Sequence, residues 1–300
     1  MTTLTIKPPS HLLRLSDLTL LAVALMWGTS YGVAKGALAF YPVLGFLAVR
    51  FGITFVLLLP MLLRAPRQQQ RDALRSGLPL GGLLWGIFLC KTYGVAHTQA
   101  SNAAFLISLC VVFTPFAEWW LMGQHPAPVL FVFAGVSLLG AALLSGGWSG
   151  HLDWGDALML AAALLRAFTV CKTSQLTRHS SASSLTLTTV QAGVICLGSL
   201  LLAVLSSSGV ETGLPALPSA PAFWQATVYL VLGCTIFAFF AQNWALKHSA
   251  PSRVALLTSS EPAFGALFAV LWLGESLSVT AWLGGALIVL TALWTTLRRN

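Results

Sequence analysis

Apolar stretches as long as a bilayer is thick alternate along this chain with short breaks rich in polar residues, proline and glycine. A hydrocarbon core of about 30 Å takes about 20 apolar residues as helix. Cutting at the breaks predicts helices over 17–38, 43–63, 77–98, 100–122, 127–146, 152–173, 183–206, 223–246, 251–273 and 278–297, ten in all. The breaks at Gln99 and from Lys247 to Pro251 are so short that their flanking helices are expected to be antiparallel neighbours. Lys7 and Arg14 precede the first run as they would in a signal peptide. That run continues through Trp27 to Leu38 without an A-x-A-like cleavage site, so it reads as a retained helix.

Charge placement supports the count. With a cytoplasmic N-terminus, twelve of the 16 Lys and Arg residues fall inside: Lys7, Arg14, Arg64, Arg67, Arg71, Arg75, Lys172, Arg178, Lys247, Arg253, Arg298 and Arg299. Asp153, Asp156, Glu211 and Glu275 fall outside, where Lys35 at the end of the first helix is the exception. An even number of spans with both termini in the cytoplasm satisfies the positive-inside rule. The expected location is the bacterial inner membrane, as a multi-pass protein.

Composition agrees. Residues are 57% hydrophobic and 8% charged, where soluble domains carry about a quarter charged, and the mean hydropathy is +0.82. The net charge of +8 then reports topology, not nucleic-acid binding. Cys90, Cys110, Cys171, Cys196 and Cys234 lie in apolar runs without C-x-x-C spacing and read as small buried hydrophobes. No metal set or cofactor motif is expected.

Sliding the sequence by 151 residues places Tyr93 on Trp244, His97 on His248, Ser101 on Ser252, Ala104 on Ala255, Leu106 on Leu257, Ser108 on Ser259, Phe113 on Phe264 and Gly123 on Gly274. The chain is therefore read as a cytoplasmic tail (1–16) and two five-helix repeats (17–147 and 152–297). An odd number of helices per repeat makes the second enter the membrane inverted. Such repeats commonly enclose a midplane site served by alternating access.

Several short motifs carry a family resemblance. They are Trp27-Gly28, Ala100-Ser101-Asn102-Ala103-Ala104, Asn243-Trp244-Ala245-Leu246, Glu261-Pro262 and Leu273-Gly274-Glu275. In this order the chain resembles the drug/metabolite transporter superfamily, in its EamA-type branch of duplicated five-helix halves. Within it the chain is similar to YddG-like exporters of aromatic amino acids. The resemblance implies an all-α integral membrane fold around a central cavity. Gln124, where a Gly-Glu pair is expected, and Arg166 and Lys91, where apolar residues are usual, depart from the family pattern.

Charges at membrane depth are costly and normally face protein or a wet cavity. Arg166 lies midway along the sixth predicted helix, so it is expected either in a cavity or paired with Glu261 or backbone carbonyls. Lys91 can face the cavity or extend to the interface. Glu261, beside the helix-interrupting Pro262, is either a proton-coupling group or a fixed hydrogen-bonding one. Pro115 predicts a matching kink in the fourth helix.

Ser108 and Ser259 can bind substrate or bond a carbonyl one turn back. Trp27 and Tyr31 share a helical face beside a Gly28, Gly32, Gly36 stripe suited to close packing, and with Trp244 are candidates to hold an apolar side chain. Trp119 and Trp120 read as an interfacial belt with Glu118 beside them. Arg50 reads as a structural partner or headgroup contact, and His97 and His248 as helix-end residues.

The expected function is export of small metabolites, above all amino acids with aromatic or apolar side chains. A substrate carboxylate would meet Arg166 or Lys91. The alternative is export of lipophilic drugs or nucleotide-type metabolites. An enzyme is not expected, since no nucleophile–base pair or metal motif such as H-E-x-x-H is present, and no repeated filter suggests a channel. The expected partners are a small-molecule substrate and the lipid bilayer, without nucleic acid. The oligomeric state stays open, a monomer being one reading.

Overall fold

In lipid a backbone amide finds no partner but another backbone group, so apolar runs of this length fold as helices. The computed structural model describes residues 10–97, 100–123, 125–144, 153–178, 180–206, 215–273 and 276–297, and among them helices are present and strands are not. Expectations that fall on Lys7, Gln124, Glu211, Gly274, Glu275, Arg298 and Arg299, or on the side chains of Arg14, Ser101, Asn102 and Ala104, lie outside the described residues.

The helices are α1 (Ser10–Leu38), α2 (Val43–Arg64), α3 (Arg67–His97), α4 (Ala100–Ser108), α5 (Cys110–Met122), α6 (Pro128–Leu144) and α7 (Trp154–Thr177). There follow α8 (Ser184–Ser206), α9 (Pro221–Val231), a π-helical turn (Leu232–Phe237), α10 (Ala238–His248), α11 (Pro251–Thr258), α12 (Glu261–Leu273) and α13 (Val279–Leu297). Among the described residues, seven stretches are long and apolar enough to cross a membrane: Leu15–Leu38, Val43–Arg64, Arg67–His97, Phe105–Met122, Trp154–Thr177, Ser184–Ser206 and Pro221–His248. Pro128–Leu144 and Val279–Trp294 are apolar but shorter.

The interruption between α11 and α12 has a covalent cause. Pro262 has no N–H, and its ring crowds the carbonyl four residues earlier, so the helix breaks at Ser259–Ser260 and restarts at Glu261. Hydroxyls bond back onto carbonyls of the turn before the break: Thr258 donates to the Val254 oxygen at 2.9 Å, Ser259 to Leu256 at 2.7 Å and Ser260 to Leu257 at 2.7 Å. The other break falls at Leu109, six residues before Pro115. There the ladder tightens to three-residue steps, Leu109 N–H to the Leu106 oxygen at 3.2 Å and Val112 N–H to Leu109 at 3.0 Å. Pro115 itself sits inside α5.

Three further details differ from the sequence reading. α3 starts ten residues earlier than the apolar run, because the polar segment from Arg67 continues the same helix and buries Ala73 and Ser76. Glu118 is buried among helices: its Oε2 accepts the Ser252 N–H at 3.0 Å and the Ser252 hydroxyl, holding the N-terminal turn of α11. The bidentate Arg253–Asp17 pair, 3.1 and 2.6 Å, ties the same turn to α1. Of the three glycines in the α1 stripe, Gly28 alone makes a close crossing, since Gly32 and Gly36 have nothing within 4 Å of a Cβ position.

α1 packs along α9, α10, α11 and α12, while α2 packs on α8, α3 on α7 and α8, and α6 on α13. At the α1–α12 crossing Gly28 meets Gly265, and a Cβ on Gly28 would stand 2.5 Å from the Glu261 oxygen and 2.7 Å from the Gly265 nitrogen. Backbone atoms cannot swing aside. Gly28→Val should therefore lose about 1–3 kcal/mol through overpacking, lowering the unfolding midpoint in detergent, whereas Gly32→Ala should leave it unchanged. Equal midpoints for Gly28→Val and the parent would contradict the crossing.

Candidate functional site

The break before Glu261 delivers a carboxylate into the protein interior as the first residue of α12, 2% exposed, at the helix end whose dipole favours negative charge. Two cations reach it. Arg166, twelve residues into α7, donates from Nη1 to Glu261 Oε2 at 3.0 Å, and Lys91 Nζ lies 3.7 Å from Oε1. Rings of α1 complete each cation's surroundings: the guanidinium carbon of Arg166 is 4.9 Å from the Trp27 ring centre, and Lys91 Nζ is 4.0 Å from that of Tyr31. Both distances lie within cation–π range.

These groups border a cavity of about 90 Å³, room for a handful of waters at about 10–15 Å³ each. Trp27, Tyr31, Lys91 and Arg166 line it, together with Phe46, Arg50, Phe88 and Phe239. The rings interlock edge-on and tilted, with Phe51–Phe88 centroids 4.7 Å apart, Phe88–Phe239 6.0 Å and Trp27–Phe239 6.4 Å. Trp27 is oriented by its indole N–H, which donates to the Cys234 oxygen in the π-turn at 3.0 Å. The Tyr31 hydroxyl and Glu261 Oε1 are buried without a hydrogen bond among the described residues, which leaves polar capacity beside the cavity.

The structure thus brings together five of the eight residues singled out from sequence: Trp27, Tyr31, Lys91, Arg166 and Glu261. The other three lie elsewhere. Ser259 shares a 2.9 Å hydrogen bond with Ser137 and bonds the Leu256 oxygen, the reading in which a serine serves its own helix. Ser108 is buried at the end of α4 outside the cavity lining. Trp244 points to the far end of α10, its ring 5.2 Å from that of His248. His97 and His248 are exposed, and Trp119 and Trp120 face outward, 51% and 80% exposed.

Sequence reasoning passed over Arg50 as part of the lining. It is seven residues into α2, about 10 Å along the axis at 1.5 Å per residue. The depth argument that singled out Arg166 applies to it as well. Phe46, Phe88 and Phe239 carried no signal, because a ring in an apolar helix looks the same whether it meets lipid, core or cavity.

A cavity lined by cations and rings lies among the packed apolar helices, and the chain's relatives make its owner a membrane transporter. Residues 14–146 and again 153–297 match the EamA-like transporter family, and the chain belongs to it. It is 30% identical to an uncharacterised transporter of Archaeoglobus fulgidus, over 94% of this chain and 86% of that protein. It is 26% identical to the uncharacterised inner membrane transporter YedA of Escherichia coli K12, over 93% of this chain and 89% of that one. A solved crystal structure superposes with a TM-score of 0.72 at 20% identity, over 94% of this chain and 96% of its own, and shares the fold.

Because one carboxylate serves two cations, its loss leaves both buried and unpaired. Glu261→Gln should destabilise the protein by about 3–5 kcal/mol, the cost of breaking a buried pair from one side. Combining it with Lys91→Met and Arg166→Met should recover much of that loss. Thermal unfolding of the purified variants checks this, and a Glu261→Gln protein as stable as the parent would show that the ion pairs do not hold the helices.

Proposed function

We propose that this transporter exports small metabolites, above all amino acids with aromatic or apolar side chains, from the cytoplasm across the inner membrane by alternating access. The observation that carries the reading is the cavity itself. Three cations, Arg50, Lys91 and Arg166, stand against the single carboxylate of Glu261, within a wall of aromatic rings. An excess of positive charge favours a ligand with a carboxylate and opposes a lipophilic cation, and flat rings take an apolar side chain at little entropic cost.

In this reading the chain crosses the membrane ten times as two inverted five-helix repeats, 17–147 and 152–297, with both termini in the cytoplasm. The two separate family matches support the duplication. So does the position of the helix breaks: Leu109 and Ser260 are related by the same 151-residue shift that aligns the repeats. Alternating access follows from rocking one repeat against the other about the cavity, and α1, wedged against α9 to α12, moves with or against them.

Counterflow in proteoliposomes is the test. Saturable uptake of labelled phenylalanine or tryptophan, stimulated by the same amino acid inside, is the expected result, with cationic dyes and nucleotide sugars competing poorly. Ohmic conductance, or competition by the dyes alone, would refute the reading. Arg166→Ala and Lys91→Ala, each correctly inserted, should cut flux by about tenfold or more. Topology is checked separately in intact cells, where single cysteines at 64–75 and at 298–300 should both be reached only from the cytoplasmic side.

A further inference from the structure

The three cations of the cavity are not equivalent. Lys91 and Arg166 share Glu261, so a ligand carboxylate arriving there competes with a fixed one. Arg50 has no carboxylate partner among the described residues. Its Nε and Nη2 both donate to the neutral Thr235 hydroxyl oxygen, at 3.0 and 2.8 Å, and its guanidinium carbon lies 5.2 and 5.4 Å from the ring centres of Phe51 and Phe88. The other described acids are engaged elsewhere: Asp17 with Arg253, Asp72 with Ser181, Glu118 with Ser252, and Asp153 with Asp156 in the capping box of α7.

Burying a charge with neither counter-ion nor full hydrogen bonding is expensive, and Arg50 is 5% exposed. Its surroundings are nevertheless built to hold it. The π-turn lets the Thr235 hydroxyl donate to the Leu230 oxygen five residues back, at 2.9 Å, which turns its lone pairs to Arg50. π-turns inside α-helices recur at functional sites. With the Nε–Nη2 edge engaged by Thr235, the Nη1–Nη2 end of the fork remains, the end that takes a carboxylate with two parallel hydrogen bonds. Phe46, Phe88 and Phe239 line the cavity beside it.

We propose that Arg50 is the carboxylate-anchoring residue of the cavity, and that its ligands are small molecules presenting a carboxylate together with a ring or branched apolar group. This rests on the cavity being the substrate site. It reassigns the carboxylate contact from Arg166 and Lys91, whose charge pairs with Glu261 and whose part is to hold α3, α7 and α12 around the cavity.

The test compares 3-phenylpropanoate with its uncharged amide, 3-phenylpropanamide, by calorimetric titration of the purified full-length chain. The parent protein should prefer the carboxylate by about tenfold or more. Arg50→Gln, which retains a donor for Thr235, should abolish that preference while leaving amide affinity within about threefold, and Arg50→Lys should retain part of it, because a point charge lacks the fork. A folded Arg50→Gln protein that keeps the preference would overturn the proposal, as would a parent protein that shows none. Should Arg50→Gln not fold, Arg50→Lys decides: affinities equal to the parent's would overturn it. Carboxylate binding lost in Arg50→Gln, without flux of any amino acid in the parent, would sink the export reading and leave the anchor standing. Amino-acid flux together with a preserved preference in Arg50→Gln would do the reverse.

Discussion

Glu261 sits where a carboxylate is hardest to keep: buried, in a chain whose solvent is mostly hydrocarbon. Only opposite charge at close range and the positive end of a helix make the ionised form tolerable there, and the protein supplies both. Arg166 comes from α7, Lys91 from α3, and the helix end from the break that Pro262 imposes. Each cation in turn lies over a ring of α1. Four elements distant in sequence therefore meet around a single acidic side chain, beside a cavity that α2 and α10 also line.

Irregular backbone is the second constraint. Unsatisfied amides and carbonyls at membrane depth persist only where protein or a cavity receives them, and the interruptions at Leu109, at Ser259–Ser260 and in the π-turn obey this rule. At Ser259–Ser260 three consecutive hydroxyls bond carbonyls of the preceding turn. In the π-turn the Cys234 oxygen accepts the Trp27 indole and the Thr235 hydroxyl accepts Arg50. Two of the interruptions thus do chemical service: the break before α12 brings Glu261 to Arg166 and Lys91, and the π-turn presents the Cys234 oxygen to Trp27 and the Thr235 hydroxyl to Arg50.

The same constraints explain which parts of the site were legible from sequence. Arg166 and Glu261 announced themselves by depth, and their mutual ion pair was one of two readings open for Arg166. Trp27 and Tyr31 were legible through their four-residue spacing, although of the glycine stripe beside them only Gly28 packs closely. Trp244 and Tyr93, which the repeat aligns, are both absent from the lining. Of the two readings open for Ser259, the bond to a carbonyl of its own helix is the one the structure shows, a choice that sequence cannot make because both are written with the same letter. Glu118 sits near Trp119 and Trp120 in sequence but faces the opposite way, toward Ser252.

The amino-acid sequence by itself determined that this is an all-helical, multi-pass membrane protein and that a few charges lie too deep for lipid, since hydrophobic length and charge cost are properties of single segments in a bilayer. It also carried the family, through short motifs kept in order. Only the tertiary structure decided which deep charges meet a carboxylate and which meets a neutral hydroxyl. That depends on the rotation of each helix about its axis and on its neighbour, both set by packing between segments up to two hundred residues apart. Arg50 and Arg166 look alike in an apolar run; Thr235 beside one and Glu261 beside the other make them different.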